Sequence, residues 1–245
     1  MPRRSGGITL PDERYSRQIA FHGLGEAGHA KIGSATVAIV GLGALGTAAA
    51  DRLCRAGIGS LRLIDPDKVE LSNLQRQSLY TEADIGAYKV EAAALRLHEI
   101  NGGVSITSII GELSNAHLGS PGAVADCTDN MAARALLNDL CYARRLPWVH
   151  GAAAGSLGVV LPILPGRACF RCLYPDEPDS GDTAATLGML NSLTAIVGAF
   201  QANEIIKIIV GSPSSPMMMF DIWGSTFEFI DIGRNDECPV CGGAK

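Results

Sequence analysis

Residues 36–65 constrain the fold more than any other part of this 245-residue chain. A short apolar run, Thr36-Val37-Ala38-Ile39-Val40, leads into Gly41-Leu42-Gly43-Ala44-Leu45-Gly46, a G-x-G-x-x-G pattern. Small residues at helical spacing follow. Gly57 and Gly59 end them, and Leu61-Arg62-Leu63-Ile64 runs to Asp65. The order is strand, glycine turn, helix, strand, acid. In such a unit the first two glycines permit a tight turn and close approach to a phosphate, and the third lets the helix pack against the strand. The helix N-terminus offers unpaired N–H groups and the positive end of its dipole. A carboxylate at Asp65 is placed to accept hydrogen bonds from ribose hydroxyls. The stretch predicts nucleotide binding. The plainer alternative is a glycine-rich turn in an α/β sheet with no ligand.

The rest of the composition narrows the class. An apolar content of 47% with 18% charged residues is that of a globular chain, long enough for one large domain or two small ones. A net charge of -5 and the lack of a basic run argue against nucleic acid. No apolar segment of signal-peptide length stands near the N-terminus. The apolar stretch 193–210 is interrupted by Gln201, Asn203, Glu204 and Lys207, which predicts a buried helix rather than a membrane span. Seven cysteines in such a chain point to a reducing, cytoplasmic setting and to metal or catalysis rather than disulfides.

Residues 1–11 read as a loose tail, and 12–31 as helical stretches broken near Gly23, Gly25 and Gly28. That region carries Arg14-Tyr15-Ser16-Arg17-Gln18, whose arginines share a helix face. Residues 71–77, Leu-Ser-Asn-Leu-Gln-Arg-Gln, are polar and turn-rich and place one guanidinium among amides. Beside a nucleotide, such a group clamps phosphates; surface loops also look like this. Residues 89–100 form an amphipathic helix with Val90, Ala94, Leu97 and Ile100 on one stripe. Lys89 stands at its start, where a cation is disfavoured unless an anion sits nearby. A third strand covers 104–110, and a fourth, 123–125, delivers Asp126-Cys127-Thr128-Asp129-Asn130 to a helix over 131–144. Either an aspartate there holds magnesium on a nucleotide phosphate, or the loop simply caps the helix. Trp148-Val149 is a short fifth strand ending at His150-Gly151-Ala152, with His150 read as a packing residue.

The character changes after Gly155. Residues 157–164 are an apolar run expected antiparallel to the earlier strands, and 217–221 with 226–232 form a hairpin around Trp223-Gly224-Ser225. Two C-x-x-C pairs, Cys169/Cys172 and Cys238/Cys241, supply four thiolates that suit a tetrahedral structural zinc. Neither pair reads as opening a helix in the manner of a redox motif. The polar segment 176–186 reads as a crossover loop.

Taken in order, Arg14 to Gln18, Gly41 to Gly46, Leu71 to Gln77, Lys89-Val90-Glu91, Asp126 to Asn130, His150-Gly151-Ala152 and the two cysteine pairs resemble the MoeB/ThiF/HesA proteins, bacterial relatives of ubiquitin-activating enzymes. The resemblance spans nearly the whole chain. It implies a single domain with a Rossmann-like α/β sheet, a parallel N-terminal half continuing into antiparallel strands, helices on both faces and a zinc knuckle near the C-terminus. Residues 12–152 would be the nucleotide-binding half, and 153–245 the zinc-bearing, carrier-binding half. The implied activity is ATP-dependent adenylation of the C-terminal glycine of a small ubiquitin-like sulfur carrier ending in Gly-Gly, by a homodimer, with a separate sulfur donor of rhodanese or cysteine desulfurase type. The implied nucleotide site comprises Gly41, Gly43, Ala44, Gly46, Asp65, Asp67, Asn73, Arg76, Gln77, Lys89, Asp129 and Asn130. Within it Asp65 would hold the ribose. Asn73, Arg76 and Lys89 would meet the triphosphate, and Asp129 the magnesium. Arg17 would reach across the dimer to the partner's ATP, and Cys169, Cys172, Cys238 and Cys241 would hold zinc.

Two other readings share parts of this pattern. A nicotinamide-dependent oxidoreductase uses the same glycine motif and an acid like Asp65, but leaves Arg76, Lys89 and Asp129 without work. A non-catalytic scaffold would keep the fold alone. Some members of the resembled family carry a crossover-loop cysteine that receives the activated carrier or its sulfur. The matching position here is Ala184, which predicts an enzyme that stops at the adenylate.

Overall fold

The computed structural model describes residues 10–175 and 187–243. The expected tail up to residue 9, and the segment 176–186 with Ala184, lie outside the described residues. One sheet of eight strands organises the chain, in the order β3-β2-β1-β4-β5-β6-β7-β8. These are β1 (Thr36–Val40), β2 (Ser60–Ile64), β3 (Ser105–Ile109), β4 (Ala123–Asp126), β5 (Trp148–Ala154), β6 (Leu157–Ile163), β7 (Met217–Asp221) and β8 (Thr226–Ile230). The helices are α1 (Leu10–Ile19), α2 (Gly25–Ser34), α3 (Ala44–Arg55), α4 (Lys89–Ile100), α5 (Asn115–Leu118), α6 (Met131–Ala143), α7 (Phe170–Leu173) and α8 (Asn191–Val210).

The strands from β3 to β5 pair parallel, and β5 to β8 antiparallel. The sequence dictates the division. Parallel strands joined by crossover helices are covered on both faces and read as continuous apolar runs. Accordingly β4 is buried throughout, as is β1 beyond Thr36. Alternate residues feed two cores: Val37 and Ile39 pack with α3, α4 and α8, whereas Ala38 and Val40 pack with α6 and Phe170. From β1 the chain runs outward to β2 and β3, then returns to place β4 on the other side of β1. This reversal opens a crevice at the carboxyl ends of β1 and β4, where open α/β sheets bind ligands.

Helix α8 closes one face. Its Gly198 lies so close to α3 that a Cβ would sit 2.6 Å from the Ala48 Cβ and 2.8 Å from the Leu45 carbonyl. The helix is long and apolar enough to cross a membrane by composition. Yet it buries Thr194, Gln201 and Glu204 inside the protein, as a core helix does. Glu204 is satisfied there by Lys207 at 2.8 Å and by the Ser215 N–H and hydroxyl at 3.0 and 2.9 Å.

Several boundaries differ from the sequence reading. Helix α1 starts at Leu10, inside the expected tail. Helix α2 runs through Gly28, which packs against Leu24 instead of breaking the helix. Strand β5 continues to Ala154, because the antiparallel ladder with β6 extends to Ala154 opposite Leu157. Cys169 is the N-cap of α7, so the first cysteine pair does open one helical turn.

Candidate nucleotide and metal sites

The glycine turn is built as the motif requires. Gly41 has φ +90°, and a Cβ there would lie 2.6 Å from the Cys127 carbonyl oxygen. A Cβ on Gly46 would meet the Gly41 carbonyl oxygen at 1.9 Å, so α3 can start this close to β1 only with glycine. Gly43, the N-cap of α3, is uncrowded: a Cβ there would meet Gln77 Nε2 at 3.8 Å. The Oε1 of Gln77 is buried and has no hydrogen-bond partner among the described residues. An open glycine cradle at a helix N-terminus beside an unpaired buried acceptor fits a nucleotide.

Asp65, at the end of β2, accepts the Leu42 N–H on Oδ2 at 2.6 Å and the Asp67 N–H on Oδ1 at 2.8 Å. It therefore ties the second strand to the glycine turn and keeps a second lone pair on each oxygen. Burial pushes its carboxyl up, against the opposing pull of Lys89 and the two N–H donors. Tyr80 donates its hydroxyl to the Leu42 carbonyl at 2.9 Å, fixing the turn from below. The sequence reading passed over Tyr80. A buried tyrosine needs a partner for its hydroxyl, but nothing in the sequence says which.

Lys89 is the one buried lysine or arginine among the described residues. Its Nζ donates to Asp67 Oδ2 at 2.8 Å. The anion expected beside this helix start is, in the protein alone, an aspartate whose side chain is 62% exposed. Such a partner is readily exchanged for a phosphate. Asn73 is buried, and its Oδ1 accepts the Glu70 N–H at 3.2 Å, closing a reciprocal cap on the short 3-10 turn Leu71–Asn73. Arg76 follows that turn and donates to the Ser72 carbonyl at 2.9 Å. It borders a cavity of about 260 Å³ with Ala48, Ser78, Asn191 and Ser192.

The loop after β4 lies against the same turn. Asn130 is the N-cap of α6, accepting the Ala133 N–H at 2.8 Å, so the capping alternative holds for Asn130. Asp129 is exposed. Asp126 is fully buried and meets His150 Nδ1 at 2.7 Å, so His150 is more than a packing residue. Burial alone would raise the Asp126 carboxyl, but His150, Arg134 and Thr128 bring it below the usual range. Burial likewise lowers His150, and here it outweighs the pull of Asp126. The pair is thus carboxylate and neutral imidazole, with the proton on Nδ1.

This pair makes stability depend on pH. An imidazole whose folded pKa lies below the ordinary 6.5 contributes stability that is full above 6.5 and is lost as pH falls through the lowered value, because only the unfolded chain accepts the proton. Asp126 acts with the same sign further down: its contribution is present above 3.8 and lost as pH falls through its depressed value. The melting temperature should therefore be level from about pH 8 to 7 and fall by several degrees towards about pH 5. His150→Asn, whose amide keeps a donor near the Nδ1 position, should flatten that slope. A slope in His150→Asn as steep as that of the wild-type protein would exclude a neutral buried His150 as its source.

Arg17 is not part of this cluster within its own chain. Helix α1 is fastened to the opposite end of the sheet, where Gln18 donates to the Ala56 carbonyl at 2.9 Å, Arg14 to the Ile100 carbonyl at 3.0 Å, and Tyr15 accepts from Asn101 at 2.7 Å. Those anchors sit at the C-terminal ends of α3 and α4, a full helix length of about 18 Å from the glycine turn.

The four cysteines do converge. The sulfurs of Cys169, Cys172, Cys238 and Cys241 all lie within 4.8 Å of one another. Sulfur contacts join one motif to the other, Cys169 to Cys238 at 3.5 Å and Cys172 to Cys241 at 3.2 Å. A tetrahedral zinc with bonds of about 2.3 Å needs sulfurs about 3.8 Å apart, so the set fits that ion. The Asn235 N–H points at the Cys172 sulfur from 3.4 Å, a contact that favours a thiolate. Of the other cysteines, Cys54 and Cys141 are buried, and their thiols are pushed up to about 11 and about 12, mainly by that burial. Burial and then Asp126 raise the Cys127 thiol well above its ordinary value.

Residues 15–240 match the sequence profile of the ThiF family. The sulfur carrier protein ThiS adenylyltransferase of Escherichia coli (strain K12) is 37% identical over 240 residues, covering 95% of this chain and 96% of the relative. The molybdopterin-synthase adenylyltransferase of the same organism is 39% identical over 238 residues, covering 94% and 96%. Among solved structures, E. coli MccB with MccA-N7isoASN superposes with a TM-score of 0.83 over 94% of this chain and 75% of that one. At 23% identity this last likeness speaks for the fold alone.

Proposed function

The chain belongs to the ThiF family, and we propose that it uses ATP to adenylate the C-terminal glycine of a small ubiquitin-like sulfur-carrier protein, releasing pyrophosphate. Relatives named for acting on ThiS and on molybdopterin synthase, similar over nearly their whole length, support an adenylyltransferase of this kind. The observation that carries the reading is the buried Lys89 at the mouth of the glycine turn. A dinucleotide needs no such cation, whereas a triphosphate does.

In this reading Asp65 accepts the ribose hydroxyls on its free lone pairs, and the Gly41–Gly46 turn with the α3 N-terminus cradles phosphate. Ala44, Asp67, Gln77 and Asn130 line the same site. Lys89 and Arg76, with Asn73, meet the charge that grows on the departing pyrophosphate while the carrier carboxylate attacks the α-phosphate. Lys89 leaves Asp67 for the phosphates. Asp129, exposed beside the turn, would hold magnesium, which neutralises phosphate charge when bound. Arg17 stands on a helix fastened at the far ends of α3 and α4, remote from its own glycine turn, which supports a homodimer in which each Arg17 serves the partner's ATP. Residues 12–152 then form the nucleotide half. Residues 153–245 carry the zinc and receive the carrier, with a separate sulfur donor acting on the adenylate, in a cytoplasmic setting.

Calorimetry separates this from a nicotinamide enzyme. ATP with magnesium should bind and NAD should give no heat; tight NAD binding with no ATP binding overturns the reading. The reaction should also end at the adenylate. Cys127 is the thiol nearest the site, but it is 7% exposed and held in its protonated form by burial and Asp126. Intact mass spectrometry without reductant, after incubation with ATP, magnesium and carrier, should show no carrier–enzyme adduct. An adduct that disappears in Cys127→Ala would refute this.

A further inference from the structure

The loop that carries Asp129 is gripped from three elements. Asp126 Oδ1 accepts both the Thr128 N–H at 3.1 Å and the Thr128 hydroxyl at 2.7 Å, while Oδ2 accepts from His150 of β5 at 2.7 Å. From the opposite face Gln201 of α8 donates Nε2–H to the carbonyls of Asp126 at 2.6 Å and Val149 at 3.1 Å. Its Oε1 takes the Cys127 thiol at 3.6 Å. Gly151 makes room for this amide, since a Cβ there would sit 2.4 Å from Gln201 Cδ. Arg134 of α6 holds the Thr128 carbonyl at 2.9 Å. The residues before and after Asp129 are thereby fixed, while the Asp129 carboxylate itself stays exposed. The same loop presses its Cys127 carbonyl against Gly41.

A fully buried carboxylate is a poor device for stability alone, because its hydrogen bonds from the neutral His150 and from Thr128 do little more than offset its desolvation, and apolar residues of the same volume do as well. Its use is geometric. We propose that Asp126, Thr128, His150 and Gln201 are positioning residues that fix the Asp129 carboxylate relative to the glycine turn and so set how tightly a divalent cation is held on the bound nucleotide. The inference rests on the reading of Asp129 as the magnesium ligand. Asp126, His150 and Gln201 are buried, and all four act on the backbone at residues 126–129. Partners that orient a metal ligand typically change metal affinity by tenfold or more when removed.

The test measures ATP binding to the full chain by calorimetry, with magnesium titrated at fixed ATP and again in EDTA. Thr128→Val removes the hydroxyl donor at nearly constant volume, and Thr128→Ser restores it. His150→Phe removes the ring donor, and His150→Asn restores a donor. The Val and Phe variants should need about tenfold more magnesium for half-maximal binding, with metal-free ATP affinity unchanged, while the Ser and Asn variants stay within about twofold of wild type. A purely structural role would weaken both measurements together. Should His150→Phe fail to fold, the Thr128 pair decides alone. A wild-type magnesium requirement in Thr128→Val, with Asp129→Asn raising it, overturns the positioning role. An unchanged requirement in Asp129→Asn as well removes Asp129 as the ligand, and the inference falls with that assignment.

Discussion

Lys89→Ala is expected to slow ATP–pyrophosphate exchange with a cognate carrier by about a hundredfold, the effect of losing a donor worth on the order of 3 kcal/mol in the transition state. The argument starts from the cost of the wild-type arrangement. A lysine at a helix start opposes the helix dipole, and one that is 7% exposed is poorly solvated. Its single described partner, Asp67, is mostly exposed and offers one hydrogen bond. That is weak compensation for a buried cation, and a phosphate at the glycine turn supplies more. Removing Lys89 leaves Asp67 facing water, so the fold should survive, and the melting temperature without nucleotide should change by no more than a few degrees. Arg76→Ala should show the same pattern. Among the described residues its guanidinium is tied only to the local Ser72 carbonyl, so the protein loses little while phosphate contact is lost. Wild-type exchange in either folded variant would refute the assigned roles.

The glycine turn, Asp65 and the four cysteines were legible in the sequence because each depends on residue type at fixed spacing. A Cβ at Gly41 or Gly46 collides with backbone, and no other residue substitutes. The amphipathic pattern placed α4 at its observed bounds, Lys89–Ile100. What escaped the sequence depends on non-local pairing. His150 reads as a lone residue until β4 and β5 pair and set Asp126 beside it in register. Gln201 looks like an interruption of an apolar helix until α8 folds across the sheet and finds the Asp126 and Val149 carbonyls. Strand β5 extends past its sequence signal because Gly151 and the small residues after it carry little strand propensity, and the partner β6 supplies the ladder. The turn at α7 leaves no sequence signal because a four-residue helix has no period to read.

Replacing Cys238 and Cys241 together by serine should abolish a stoichiometric zinc and loosen the C-terminal segment. The four sulfurs converge within 4.8 Å of one another, which is the arrangement of a tetrahedral site and not of two independent redox pairs. The three buried cysteines form their own small cluster, joined among the described residues by Tyr142, Cys172 and Val240. Little apolar surface is therefore available to hold residues 234–243 without the ion. Metal binding at such a site is folding energy. Phe170, by contrast, is 1% exposed and belongs to the larger core with Trp148 and Leu161, so α7 has packing of its own. The loss should be local. A cost on the order of 3 kcal/mol would lower the melting temperature of a chain of this size by roughly 6–12 °C. Elemental analysis should find one zinc per wild-type chain and none in the double variant, and limited proteolysis should release the segment after Ile232 first. Wild-type protein purified without zinc, or a double variant that keeps its full metal content, would remove these four residues as the site.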